Sequence, residues 1–399
     1  MTGPRLLSRV LRRERSLFQE DLESGRAGIE TALKGARLLV IGAAGSIGSA
    51  FTRELTRWPV GGLHLVDPSE NNLVELVREL RASDRTVPGE FSTSAIALGS
   101  VEFDRFLEAA PRFDHVVNFA ALKHVRAERD PFTLMRMLDV NLLALDGLLA
   151  RLAKGGNPRF FSVSSDKAVN PANLMGASKA LMEQTMWSWS ESLTVVTSRF
   201  ANVAFSDGSL LHGFVRRLEK RQPLAAPLDV KRYFLSHEEA GQLCLLASVT
   251  GHNREIFIPR LDTDADLSTF AEIAVLFLEE AGYTPRLFAS DQEARRFAAT
   301  MGPECREWPC CFTLSDTTGE KDTEEFLGEG EIADFQRFAR IGVIADPVRH
   351  PARLRQFLND IRRLRDESPW ELPAMVRAME QAVPALRHRV AGRDLDGKM

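Results

Sequence analysis

Leu38-Leu39-Val40-Ile41-Gly42-Ala43-Ala44-Gly45-Ser46-Ile47-Gly48 reads as an apolar strand that enters a glycine turn and then a helix. Glycine at Gly42, Gly45 and Gly48 permits a tight turn and lets the backbone approach a pyrophosphate, which sits on the helix N-terminus. A glycine pattern alone says little; between a strand and a helix it predicts a dinucleotide site. Asp67 ends the next apolar run, at the distance expected of the acid that binds the adenosine ribose hydroxyls. A carboxylate there repels a 2′-phosphate, which favours NAD over NADP. Asp67-Pro68-Ser69-Glu70 is also a good helix start, with a cap, a proline and a capping glutamate. One residue can serve both ends.

Outward from this unit, strand and helix alternate. Apolar runs at Leu38–Ile41, Leu63–Val66, Ala95–Leu98, His115–Phe119, Phe160–Val163 and Thr194–Thr197 read as strands with helices between them. That order predicts an α/β fold, a Rossmann-type doubly wound parallel sheet with helices on both faces. After Phe200, loops rich in Ser, Gly and Pro alternate with short helices at Leu210–Lys220 and His237–Ser248. The expected division is therefore a helical extension over 1–35, a NAD-binding domain over 36–200 and a smaller substrate lobe over 201–290. A mostly helical C-terminal extension over 291–399 follows, broken by a loop at Trp308-Pro309-Cys310-Cys311. At the start, Leu6, Leu7, Val10 and Leu11 repeat with helical spacing, flanked by Arg5, Arg9, Arg12 and Arg13. Such a helix can lie on a membrane surface. Its short apolar face favours a cap on the domain or on a partner subunit.

Composition narrows the classes. A chain of 399 residues buries a large core. A net charge of -4 gives no sign of nucleic-acid binding. Four cysteines (Cys244, Cys305, Cys310, Cys311) are too few and too clustered for a disulfide framework, which points to a reducing, cytoplasmic setting. They lack zinc-like spacing, so no metal is expected. No apolar run approaches the length of a membrane span, and the arginine-rich start has no h-region behind it.

The run from Ser162 to Lys179, Ser-Val-Ser-Ser-Asp-Lys-Ala-Val-Asn-Pro-Ala-Asn-Leu-Met-Gly-Ala-Ser-Lys, leaves a strand, crosses a polar turn and enters a helix. In short-chain dehydrogenases that helix usually bears Tyr-x-x-x-Lys. Here Met175 holds the tyrosine position. The chain's two tyrosines, Tyr233 and Tyr283, have no lysine four residues later. An acid–base pair, Asp166 and Lys167, stands at the strand end instead, where ligands bind in open α/β sheets. Adjacent residues on a regular strand face opposite ways, so both reach one substrate only if the backbone turns, as the Asn170-Pro171 pair suggests. A solvated salt bridge is the plainer reading of the same pair.

Together with Gly42–Gly48, the segments Ala120-Ala121-Leu122-Lys123-His124-Val125, Asn141, Ser164–Lys179, Arg199-Phe200-Ala201-Asn202-Val203 and Arg232-Tyr233-Phe234 give this chain a marked likeness. Over roughly residues 35 to 290 it resembles the extended short-chain dehydrogenases that act as nucleotide-sugar 4,6-dehydratases in bacterial polysaccharide and nonulosonate synthesis. The methionine matches the branch related to membrane-bound capsule enzymes, whose transmembrane part is not expected here. Trp308–Phe326, with Ser315-Asp316-Thr317-Thr318-Gly319-Glu320-Lys321, is similar to soluble dehydratases of legionaminic-acid-type pathways. Ala201 where many members have glycine, and His212 near their usual proline, put the identity of the sugar in doubt rather than the reaction.

The resemblance implies a chemistry. NAD oxidises C4 of a UDP- or GDP-N-acetylglucosamine, which acidifies the C5 proton. A base removes that proton, an acid protonates the departing 6-hydroxyl, and the hydride returns to C6. By the same likeness Lys167 is the base and Asp166 the acid, and Lys179 holds the nicotinamide ribose. Met175 exchanges no proton, which leaves the C4 hydroxyl to Ser165, bonded through Lys179, or to Asp166. Cofactor contacts are implied at Gly42, Ala44, Gly45, Ser46, Ile47, Gly48, Asp67, Ser69, Asn72, Ala120, Ala121, Lys123, Asn141, Ser164 and Lys179. Substrate contacts are implied at Lys123, His124, Asn173, Asn202, Ser209, Leu210 and Arg232. His124 has a second reading as a core histidine, and Asn202 and Arg232 as loop ties. Helices Phe132–Ala153 and Gly176–Ser190 pair subunits in the superfamily, so a homodimer or larger homo-oligomer is expected. A same-fold epimerase and a non-catalytic NAD-binding regulator are the rival functions.

Overall fold

A computed structural model describes residues 3–85, 87–123, 128–261, 266–315, 324–367 and 369–388. Its main sheet begins with β1 (Arg37–Ile41), β2 (Gly62–Val66), β3 (Glu90–Ser94), β4 (His115–Asn118), β5 (Arg159–Val163) and β6 (Val195–Ser198). The sheet is completed by β10 (Glu255–Pro259), β14 (Ala333–Asp334) and β15 (Ile341–Ala345). The nine strands run in the order β14-β15-β10-β6-β5-β4-β1-β2-β3. Pairing is parallel from β3 through β10, and antiparallel where β15 joins β10 and β14 joins β15. Strand order reverses on either side of β1, so a crevice opens between β1 and β4 at their carboxyl ends. The last four residues of β1 and all four of β4 are buried, which fits a sheet covered on both faces.

Two three-stranded sheets build the lobe over the crevice. One orders β7 (Asn202–Val203), β9 (Lys231–Leu235) and β11 (Leu267–Thr269) as β11-β9-β7; the other orders β8 (Leu224–Pro227), β12 (Thr284–Leu287) and β13 (Glu307–Thr313) as β12-β13-β8. Helix Pro4–Leu11 caps this lobe. Leu6, Val10 and Leu11 join its core, and Arg13 bonds Glu239 at 2.7 Å and Asp266 at 3.1 Å. The membrane-surface reading of that helix has no free apolar face left to support it.

Three expectations need correction. The third strand is Glu90–Ser94, not Ala95–Leu98. Among the described residues it pairs with β2 alone and lies at the sheet edge. An edge strand needs no apolar run, and its Phe-Ser-Thr-Ser stretch hid it. Trp308–Cys311 is not a loop but the middle of β13. The stretch expected to be mostly helical also sends β15 back into the main sheet, through the five-residue run Ile-Gly-Val-Ile-Ala. Helices Pro351–Asp366 and Leu372–Ala382 do follow. They bury Leu354, Phe357, Ile361, Met375 and Met379 in the core that holds helix Leu174–Ser188. The chain's own hairpin thus covers part of the face expected to pair subunits. Among the described residues, no helix is long and apolar enough to cross a membrane.

Candidate active site

The glycine turn is built for close approach. Gly42 holds φ +73°, and a Cβ there would meet the Ala120 backbone nitrogen at 2.6 Å. A Cβ on Gly48 would meet the Gly42 carbonyl oxygen at 2.1 Å. Helix Ser46–Leu55 starts here without a side-chain cap, so its first N–H groups face the crevice with charge to offer an anion. These features fit a dinucleotide diphosphate. Asp67 is buried at the end of β2, where its carboxylate accepts the Ala44 N–H at 3.0 Å and the Ser69 N–H at 2.9 Å. Ser69, rather than Asp67, caps the following helix, accepting the Asn72 N–H. The cap reading of Asp67 therefore gives way to one in which it braces the glycine turn.

A cleft of about 420 Å3 runs from this turn to the lobe. Its wall contains Gly42, Gly45, Ser46, Ile47, Gly48, Ala121 and Lys123 on the sheet side. Ser164, Ser165, Lys167, Met175 and Lys179 follow β5, and Asn202, Ser209 and Leu210 come from the lobe. Ser46 and Asp207 tie the two sides by a 3.0 Å hydrogen bond. Other expected contacts lie behind the wall. Asn141 sits on a π-helical turn, Asp139–Leu143, where it bonds both backbone groups of Leu122 and the Ser178 hydroxyl. Asn173 caps helix Leu174–Ser188 through the Gly176 N–H. Ala44, Ala120 and Asp67 brace the turn, Ser69 and Asn72 open the next helix, and Arg232 is buried on β9. His124 lies outside the described residues.

After β5 the chain makes a single 3-10 turn, Asp166–Ala168. That turn brings the two neighbours together. Lys167 Nζ lies 3.3 Å from Asp166 Oδ1, with Asp166 buried and the Lys167 side chain 39% exposed toward the cleft. Ser165 caps the turn, accepting the Lys167 N–H at 3.2 Å and donating its hydroxyl to Asp166 Oδ1 at 2.6 Å. Its partner is thus Asp166 and not Lys179. Lys179 is buried one turn past Met175, 3.5 Å from the Val163 carbonyl oxygen. Burial lowers its pKa to about 8, against the pull of Glu183, with the Lys123 charge pushing the same way as burial. Met175 is buried, and its N–H donates to Glu128 at 3.1 Å. Neither tyrosine replaces it. Tyr233 is buried in the lobe, and Tyr283 packs on Trp308.

A buried ionic chain backs this wall. Ser164 donates to Glu183 at 2.6 Å, and Glu183 takes both forks of Arg199 at 2.8 and 2.6 Å. Arg199 also binds Glu331 and the Phe326 carbonyl oxygen. These carboxylates raise the Arg199 pKa against a large burial penalty. The C-terminal strap that supplies Glu331 also supplies Glu324, which accepts the Asn202 amide and the Tyr233 N–H. Burial and then the Asp166 charge push the Glu324 pKa up to about 8. Nothing in the spacing of the sequence marked Glu324 or Glu183. The Trp308–Phe326 likeness covered Glu324 but gave it no role.

Comparison with known proteins places the chain. A family model described as polysaccharide biosynthesis protein matches residues 38–298. Over 249 residues the chain is 30% identical to the capsular polysaccharide biosynthesis protein CapD of Staphylococcus aureus, covering 61% of this chain and 41% of that protein. The chain spans about half the length, or less, of the first curated relatives it matches. The solved structure of Pen from Bacillus thuringiensis is similar with a TM-score of 0.63 and 20% identity, covering 79% of this chain and 89% of Pen. A UDP-glucuronic acid 4-epimerase from Bacillus cereus, in complex with UDP-glucuronic acid and NAD, is similar with a TM-score of 0.53 and 15% identity, over 72% and 88% of the two chains. At such identities the solved structures establish the Rossmann-type α/β fold alone.

Proposed function

This chain belongs to the family of polysaccharide biosynthesis proteins, and from that premise we propose that it is a cytoplasmic, NAD-dependent nucleotide-sugar 4,6-dehydratase. Its substrate is a UDP- or GDP-N-acetylglucosamine, and its product the 4-keto-6-deoxy sugar of a surface glycan or nonulosonate route. The observation that supports the reading is the Asp166–Lys167 pair at the carboxyl end of β5, with Lys167 in the cleft wall and Asp166 buried 3.3 Å behind it, beside a helix that offers Met175 in place of a proton-exchanging tyrosine.

The uncapped helix at Ser46 and the glycine turn would hold the diphosphate of the cofactor, and Asp67, from its place bracing that turn, would keep a second lone pair on each oxygen for the adenosine ribose. NAD, when bound, supplies a hydride acceptor for C4 and a hydride donor for C6. Lys179, in the cleft wall, would hold the nicotinamide ribose. Ser165, bonded to Asp166, takes the C4 hydroxyl proton toward that carboxylate. Lys167 removes the C5 proton, and Asp166 delivers a proton to the departing 6-hydroxyl. Asn202, Ser209 and Leu210 form the lobe side of the sugar-nucleotide cleft. Four free cysteines accord with a reducing compartment.

Incubation with UDP- and GDP-N-acetylglucosamine, followed by mass spectrometry, tests the proposal. Loss of one water supports it. An unchanged mass with altered C4 configuration identifies an epimerase, and no turnover on every nucleotide sugar tried, with NAD still bound, favours a regulator.

A further inference from the structure

The glycine turn and the lobe are joined by a two-way contact. The Ser46 hydroxyl donates to Asp207 Oδ2 at 3.0 Å, and the Asp207 N–H donates to Ser46 Oγ at 2.9 Å. Ser46 opens helix Ser46–Leu55, and Asp207 lies in the loop between β7 and helix Leu210–Glu219. Two successive turns shape that loop. The Ser206 N–H donates to the Val203 carbonyl oxygen at 3.1 Å, and the Ser209 N–H to the Ser206 carbonyl oxygen at 2.9 Å. The second carboxylate oxygen, Asp207 Oδ1, lies 3.5 Å from His212 Nδ1. On the other side of that ring, His212 Nε2 accepts the Arg216 Nε–H at 3.1 Å, one turn along the same helix. A guanidinium has donors and no acceptor, so the ring nitrogen that faces it carries no proton. The ring proton then sits on Nδ1, toward Asp207.

We propose that the Ser46–Asp207 contact, oriented by His212 and Arg216, is a latch across the cofactor cleft, and that NAD enters and leaves when it opens. This rests on the NAD reading of the site and not on the dehydratase reading. Ser46 belongs to the sheet-side wall of the cleft and Asp207 to the lobe side, so a bond between them spans it. The two residues are anchored in different layers. The helix of Ser46 follows β1 of the nine-stranded sheet, whereas β7, just before Asp207, pairs with β9 in a sheet of the lobe. Drawing the lobe away from the main sheet at this point therefore breaks both hydrogen bonds. The contact also commits the Ser46 side chain to the lobe, which leaves the backbone N–H groups of the helix start for an anion. A helix cap is the plainer role for Asp207, and its consequence differs. A cap stabilises the helix without slowing the cofactor, and a carboxylate acting only through its charge hastens the departure of a diphosphate. A latch slows that departure in spite of the charge. Because the Asp207 side chain is 70% exposed, water competes for the contact, and the expected effect is a moderate change of rate with the fold kept.

The test follows release of radiolabelled NAD from the intact protein, chased with excess unlabelled NAD and without any sugar nucleotide. Thermal melting first shows that each variant folds. Asp207→Ala should release NAD faster than the wild type by roughly tenfold, the scale of hydrogen bonds to a partly exposed charged group. His212→Ala should give a smaller increase. Adding Ser46→Ala or His212→Ala to Asp207→Ala should change little further, because the contact they serve is already gone. Should Asp207→Ala not fold, Ser46→Ala removes the other side of the contact and is read in its place. Release from the single variant at the wild-type rate, or slower, overturns the latch and leaves Asp207 a helix cap. An effect of Ser46→Ala that adds in full to that of Asp207→Ala overturns the pairing. A wild type that binds no NAD overturns the NAD reading and the latch with it, a result distinct from unaltered release.

Discussion

On the proposed reading Lys167 and Asp166 divide the elimination between them, and their substitutions should separate its steps. Lys167→Ala should abolish water loss and C5 exchange, by roughly 10²–10⁴-fold, while slow reduction of NAD persists because oxidation comes first. Asp166→Asn should slow elimination more than oxidation, since the 6-hydroxyl loses its donor. Single-turnover absorbance of the reduced nicotinamide, set against mass-spectrometric water loss, reads both. Near-normal dehydration by Lys167→Ala would place the base elsewhere. Met175 offers the opposite case. It is buried and lines the cleft without a proton to exchange, so Met175→Leu, which nearly conserves volume, should keep most activity. Lys179→Ala should lose it by orders of magnitude, roughly as for other groups that position and charge a site. Steady-state rates on both folded variants decide, and equal losses would give Met175 a role its thioether does not suggest. The pair at 166 and 167 was legible because its residue types and its place after a strand both carry meaning. Glu324 was not, because it stands 157 residues further along than Lys167 (324 minus 167) in an acidic stretch, and only the fold brings it to Asn202.

At the scale of elements, the glycine turn and the buried ionic chain make separate demands. Gly48→Val places carbon atoms where the Gly42 carbonyl oxygen lies. The turn must open, and bound NAD should be lost on extraction while the far core remains folded. NAD retained at the wild-type level would show that the turn is not the diphosphate site. Extraction from the wild type should yield NAD rather than NADP, since the Asp67 carboxylate ends β2; mainly NADP would leave Asp67 only a brace of the turn. Arg199→Met removes one partner of Glu183 and Glu331 inside the protein. A buried charge left without its partner costs about 3–5 kcal/mol, to be read as a shift in the denaturant midpoint. The parallel strands β1, β2, β4, β5 and β6 were legible to within a residue or so because apolar runs bounded by polar turns allow little else. β3 escaped because an edge strand needs no apolar face. β13 and β15 escaped because short apolar runs inside a charged stretch take their strand identity from partners, β12 and β8 for one and β10 for the other, which no local pattern names.

Across the whole molecule, the described C-terminal residues 324–367 and 369–388 are woven into the α/β domain rather than appended to it. β15 extends the main sheet, the strap ties Glu324 to Asn202 of the cleft wall and Glu331 to Arg199, and the final hairpin buries Met375 and Met379 against the helices behind the cleft. Met379→Ala should therefore cost about 2–5 kcal/mol, as expected for a large core side chain, and calorimetry should find one cooperative transition instead of a separately melting tail. The site's function is likewise a property of the whole, since the turn, the acid–base pair and the strap come from three distant parts of the chain. Turnover of UDP- and GDP-N-acetylglucosamine in deuterated water, with substrate labelled at C4, tests that function most directly. The account predicts a product lighter by one water, carrying solvent deuterium at C5 and the C4 label at C6. A product of unchanged mass, or one in which the C4 label is lost to solvent, would contradict it.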